Sequence, residues 1–152
     1  MRVYRLARQK YVDDLSGTGA ALFDYRWNSK GIKMVYTAQS RALAMAEVAV
    51  HLNLFSLPED YMMITLELPD ELMISELDLG LLNFDWKTFP HSPKTQEMGD
   101  AFIRKGETCA FKVPSAVVKG DFNYLLNPQH PEMRFAKIFE VEPFPFDRRL
   151  FP

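Results

Sequence analysis

The segment from Gln39 to Leu54 constrains the fold more than any other part of the chain. Its residues are apolar nearly all the way round a helical wheel: Ala42, Met45, Ala49 and Leu52 on one side, Leu43, Val50 and Leu54 on the other. Ala and Leu are strong helix formers, Thr37 or Ser40 can cap the orphan amides at the start, and Pro58 closes the region that follows. A helix with no polar face is normally buried. At 152 residues the chain can surround such a helix within a single domain, and no internal repeat, low-complexity tract or linker divides it.

The remaining pattern predicts strands at Val3–Ala7, Ile32–Tyr36, Tyr61–Leu68, Cys109–Val113 and Phe135–Val141, and a second helix over Thr95–Lys105. Loops are expected at Asp13–Gly19, Asn28–Gly31 and Asn127–Pro131, where turn-forming residues cluster. Roughly six strands and two or three helices, without regular strand–helix alternation, indicate an α+β fold rather than a doubly wound one. Gly17-Thr18-Gly19 lacks the third glycine of a dinucleotide fingerprint and follows no convincing strand, so a Rossmann reading fails.

Composition narrows the function. The net charge is −2 and the basic residues are spread along the chain, which gives no reason to expect a nucleic-acid-binding face. A ribonuclease is disfavoured on the same ground. One cysteine, Cys109, permits neither an internal disulfide nor a cysteine-rich zinc site, and His51, His91 and His130 lack metal-ligand spacing. The N-terminus has no signal-peptide core and no run reaches the ~18 apolar residues of a membrane span, so a cytoplasmic location is expected.

Glu47 is the most informative residue. It is the only acid between Asp24 and Glu59, and it sits mid-helix with Leu43, Val50 and Leu54 on its face. A carboxylate there is paired, protonated or functional, because burying a lone charge is costly. Pairing with His51 one turn on, or with Arg41, stands beside the functional reading. Arg26, beside Trp27 and Asn28 in a turn, is suited to bidentate phosphate binding, or is an ordinary solvated arginine. Tyr36 can stack on a planar ring or pack in the core. Ser115 after Pro114 says little by itself.

Together these residues resemble the RES domain family, named for its Arg, Glu and Ser. The matching blocks are Gly19-Ala20-Ala21-Leu22, Arg26-Trp27-Asn28-Ser29-Lys30-Gly31, Val35-Tyr36-Thr37-Ala38 and Ala42-Leu43-Ala44 through Glu47. Further on come Gly99-Asp100, Val113-Pro114-Ser115-Ala116-Val117-Val118, Asn123 to Pro128 with His130-Pro131, and Phe146 to Leu150. They follow family order over nearly the whole chain. Lys119-Gly120-Asp121 departs from the family's usual proline before an acid, in a turn.

The resemblance implies a compact single domain over residues 1–152, similar to ADP-ribosyltransferases, with NAD⁺ as substrate in a cleft and no metal. It implies a toxin that cleaves the nicotinamide–ribose bond by hydrolysis or phosphorolysis, or else transfers ADP-ribose to a protein. Arg26 would hold the pyrophosphate or ribose oxygens, Tyr36 would stack on nicotinamide, Glu47 would stabilise positive charge, and Ser115 would give a hydroxyl to the pocket. Trp27 and Asn28 would also contact NAD⁺. The nicotinamide leaves neutral, so no strong general acid is required, in keeping with a site that contains no candidate histidine. The implied partner is an Xre-type helix-turn-helix antitoxin, in a complex whose stoichiometry, homodimer or larger, stays open. The rival of another class is a non-catalytic interaction module with a structural Glu47.

Overall fold

The structure, a computed structural model, describes residues 1–151, the side chain of Leu54 excepted. Seven strands form one sheet: β1 (Arg2–Arg8), β2 (Val35–Ala38), β3 (Tyr61–Glu67), β4 (Ile74–Glu76), β5 (Ala110–Pro114), β6 (Phe122–Leu126) and β7 (Lys137–Pro143). Their order is β4-β5-β6-β2-β1-β3-β7, antiparallel throughout except for the parallel pair β4–β5. Helix α1 (Thr18–Ala21) is a single turn; α2 (Arg41–Ala49) and α3 (Pro93–Lys105) are the two substantial helices. The α+β expectation is met.

Strand periodicity assigns the two faces of the sheet. On one face Leu6, Ala38 and Met63 receive Leu43 and Ala44 of α2, while Phe111, Val113 and Leu125 receive Phe102 and Ile103 of α3. Val3, Ile64, Leu66, Ala110 and Leu126 occupy the opposite face, under Val12, Leu15 and Met133. The two helices therefore lie side by side on one face. Between them a furrow runs over β2 and β6.

The helix expected over Gln39–Leu54 is shorter and more exposed than its pattern implied. It runs Arg41–Ala49, capped by the Ser40 hydroxyl accepting from the Leu43 amide. Only Leu43 and Ala44 are buried; Ala42 and Val50 face outward. Alanine is small enough to leave exposed at little cost, so an alanine-rich helix can look apolar all round and still lie on a sheet surface. Leu52 lies beyond the helix, and the side chain of Leu54 falls outside the described residues. The strand expected at 32–36 is displaced to 35–38, because its pairing with β6 begins only at Val35↔Leu126. Sequence pattern gave no sign of β4, whose three residues are too few to display a period.

Two close approaches fix the furrow. β1 and β2 pair only at Tyr4↔Ala38. Beyond that point no pair joins them, and Arg5, Leu6, Val35 and Thr37 all line an opening. At its other side α3 presses against the turn before β2: a Cβ on Gly99 would meet the Trp27 carbonyl oxygen at 1.7 Å. Only glycine permits that contact. The neighbouring Asp100 carboxylate accepts from the Ser29 amide (2.9 Å) and hydroxyl (2.6 Å), locking helix to turn.

Gly99→Ala should force α3 off this turn. The expected loss is about 2–3 kcal/mol, or roughly 5–10 °C in Tm at this chain length, followed by thermal circular dichroism. A Tm equal to that of the wild type would show that the contact is not tight.

Candidate active site

The furrow deepens into a cleft of about 710 Å³. That lies within the roughly 300–1,000 Å³ typical of ligand sites. Glu47 reaches it from the last turns of α2, Tyr36 from the floor, Arg26 from the turn before β2, and Arg5 from the gap between β1 and β2.

Glu47 Oε1 accepts two hydrogen bonds, from Ser115 Oγ at 2.7 Å and Asn123 Nδ2 at 2.6 Å. The sheet register explains both. Asn123 lies opposite Ala38 on β2 and Val113 on β5, and Ser115 leaves the end of β5 directly beside it. Ser115 Oγ in turn accepts from the amides of Val117 (3.0 Å) and Val118 (2.9 Å), which aims its proton at the carboxylate. Both hydrogen bonds fall on Oε1, and Oε2 takes part in neither. Glu47 pairs with neither of the partners considered from sequence. Arg41 instead engages Glu140 and Glu142 on β7, and no ion pair joins Glu47 to His51 among the described residues.

Arg26 is held by a wall of backbone. Its Nη1 donates to the carbonyls of Trp86 (2.6 Å) and Thr88 (3.4 Å), and its Nη2 to Lys87 (3.2 Å). Three of the five guanidinium protons are thereby used. Nε–H and one Nη2–H remain, adjacent donors on one edge of the fork. Burial lowers its pKa from the ordinary arginine value, opposed by the Glu47 charge.

Tyr36 donates from its hydroxyl to Asn28 Oδ1 (2.7 Å) and accepts from the Trp27 amide (3.3 Å). Burial raises its pKa well above the ordinary phenol value, so it stays protonated. Tyr25 packs edge-on against it, with ring centroids 6.1 Å apart. The Tyr36 ring is thus a fixed floor, pinned at its far end.

Two residues expected to touch a ligand stand behind the site instead. Asn28 is wholly buried; its amide nitrogen is ringed by the carbonyls of Ala20, Phe23, Ser29 and Ile32 and its oxygen is taken by Tyr36. Ser115, also buried, spends its hydroxyl on Glu47. Both position other groups, because a side chain with every polar atom satisfied has nothing left for a ligand. Trp27 is buried too, but borders the cleft and packs against Trp86.

Several lining residues escaped the sequence reading. Asn123 stands out in the sequence only within a matching block, and its link to Glu47 depends on strand register. Arg5 alternates with Tyr4 and Leu6 in a strand that reads as structural. Its Nη1 donates to the Asp14 carbonyl, no carboxylate pairs with it among the described residues, and burial lowers its pKa against the opposing pull of Asp14. The expectation of a site without histidine also fails. His51, at the end of α2, and His91, on the wall after Thr88, both line the cleft. They lie 40 positions apart, and only the tertiary fold joins them. Among the described residues no cluster of three His, Cys, Asp or Glu is placed to hold a metal ion. Cys109 lies elsewhere, fully buried, with burial pushing its thiol up to about 11.

The site is a cleft in a single α+β domain, lined by a hydrogen-bonded glutamate, a fixed tyrosine and two arginines. The RES domain model matches residues 2–148, and the chain belongs to the RES domain family. It is 36% identical, over 98% of its length and 94% of the relative's, to a protein named Prs ADP-ribosylating toxin from Sphingobium sp. (strain YBL2). It is 39% identical, over 91% of its length and 93% of the relative's, to Toxin Res of Pseudomonas putida. The fold matches a chain of the crystal structure of the M. tuberculosis MbcT–MbcA toxin–antitoxin complex, with TM-score 0.74 and 22% identity over 98% of this chain and 85% of that one. The family assigned from sequence is thus the family found, and the fold is the one it implied. No helix among the described residues is long and apolar enough to cross a membrane.

Ser115→Ala removes the acceptor of two amides and one of the two donors to Glu47. It should cost about 1–3 kcal/mol, read as a lower urea midpoint at unchanged slope. An unaltered midpoint would mean that this network adds nothing to stability.

Proposed function

We propose that this RES toxin binds NAD⁺ in the cleft and breaks its nicotinamide–ribose bond, in the cytoplasm, depleting NAD⁺ and arresting growth. The observation that carries the reading is Glu47: a carboxylate fixed through one oxygen by Ser115 and Asn123, at the rim of a cleft that also holds two inward arginines.

Each residue then has a task. Arg26 presents its unused edge to the pyrophosphate or the adjoining ribose oxygens, oriented by the carbonyls of Trp86, Lys87 and Thr88. Arg5 adds a second positive charge from the gap between β1 and β2. Tyr36 offers the face of its ring to the nicotinamide, with Trp27 beside it. Glu47 accepts from a ribose hydroxyl and stabilises the oxocarbenium-like charge that develops at the anomeric carbon. As the C–N bond breaks, its electron pair moves onto the pyridinium nitrogen and nicotinamide departs neutral. No general acid is needed for that departure. Water then adds to the anomeric carbon and releases a proton, giving ADP-ribose; phosphate in its place gives ADP-ribose-1″-phosphate.

The relative named an ADP-ribosylating toxin favours a second reading, transfer of ADP-ribose to a protein. The same bond breaks and only the acceptor differs. Mass spectrometry of the products separates the three outcomes. We further propose an antitoxin partner of the helix-turn-helix, Xre type, supported by the toxin–antitoxin complex among the structural neighbours.

Glu47→Gln keeps shape and loses charge. Nicotinamide release from NAD⁺ should fall about a hundred-fold or more, with circular dichroism unchanged. Near-normal release would refute the assignment. Arg26→Lys keeps charge but loses the fork, so KM for NAD⁺ should rise about ten-fold; an unchanged KM would remove Arg26 from substrate binding.

A further inference from the structure

The wall of the cleft carries a histidine that the scheme above does not use. His91 follows the carbonyls that Arg26 grips and immediately precedes Ser92, whose hydroxyl accepts from the Lys94 amide at the start of α3. It is therefore anchored on both sides. Phe89 packs edge-on against its ring, with centroids 5.2 Å apart. Yet its Nδ1 is shielded from water and has no hydrogen-bond partner among the described residues. Nδ1 is therefore closed to a ligand in the cleft, and the ring can meet one only through Nε2.

The charged and titratable groups facing His91 are Arg26 and Asp24, from the segment before β2, and His51, from the end of α2. Burial is the largest influence and lowers its pKa; Arg26 and His51 push the same way, and Asp24 opposes them. The imidazole is accordingly neutral near pH 7. An anion placed against the free edge of Arg26 would reverse the local field. It would cancel the repulsion from the guanidinium and offer an acceptor to the imidazole.

Resting on the dinucleotide reading above, we propose that His91 joins Arg26 in gripping the pyrophosphate, taking one proton from the solvent as the dinucleotide binds. No bond to the ligand is made or broken in this step; a neutral imidazole becomes an imidazolium paired with a phosphate oxygen. Affinity for the dinucleotide then rises as pH falls, because the bound complex holds one more proton than the free protein. NAD⁺ recognition would be stronger in an acidified cell.

The test is isothermal titration calorimetry with ADP-ribose, which carries the pyrophosphate and has no nicotinamide to lose. At pH 7.5, in buffers of different ionisation enthalpy, the observed heat should vary with the buffer and report uptake of up to one proton. His91→Gln should abolish that dependence and weaken binding about ten-fold, whereas His51→Gln should leave the dependence in place. Adenosine, lacking phosphates, should bind wild type and His91→Gln alike. Buffer-independent heat in the wild type, or proton uptake that survives in His91→Gln, overturns the proposal while leaving the dinucleotide site intact. Failure to bind ADP-ribose, together with no release of nicotinamide from NAD⁺, would instead bring down the reading on which it rests.

Discussion

The two hydrogen bonds that Glu47 accepts on a single oxygen organise the site. One donor stands on β6, the other just beyond β5, and the acceptor on α2. The helix must therefore sit over the central strands at one height and one rotation for the three to meet. A carboxylate held this way keeps its charge at a fixed place, with its second oxygen outside the pair of bonds. Preorganisation of this kind costs nothing at the moment of reaction, which is why fixed charges stabilise transition states better than mobile ones.

The rest of the architecture serves that placement. Two helices share one face of the sheet, and the furrow between them becomes a cleft where β1 and β2 part. Asn28 ties down the Tyr36 hydroxyl, Asp100 ties the turn to α3, and Gly99 lets that helix approach the Trp27 backbone. Arg26 links the turn to the 86–88 wall, so the guanidinium is at once a strut and a charge facing the cleft. Several residues of the matching blocks are thus scaffold rather than chemistry. Ser115 and Asn28 spend their polar atoms within the protein and decide where Glu47 and Tyr36 stand.

Much of this was legible in the chain. Glu47, an acid isolated within an apolar helix, announced itself by its cost, and Arg26 and Tyr36 were marked out by their place in family blocks. Strands β1, β3, β5 and β7 and helix α3 declared themselves by pattern to within a few residues. What stayed hidden depends on register and topology. Asn123 meets Glu47 only because β6 pairs with β2 at Ala38, and Arg5 enters the cleft only because β1 and β2 separate after one pair. His51 and His91 share a cleft that no local spacing could reveal. The exposure of α2 was misjudged for a different reason: hydrophobicity on a helical wheel weighs alanine with leucine, although burying an alanine gains little.

The most direct measurement is a crystal structure of the Glu47→Gln protein with NAD⁺ bound. The account predicts the nicotinamide-side ribose against residue 47, the nicotinamide over the Tyr36 ring, and the pyrophosphate at the free edge of Arg26. NAD⁺ bound away from this cleft, or lying in it with its pyrophosphate beside residue 47 and its nicotinamide in solvent, would contradict the account.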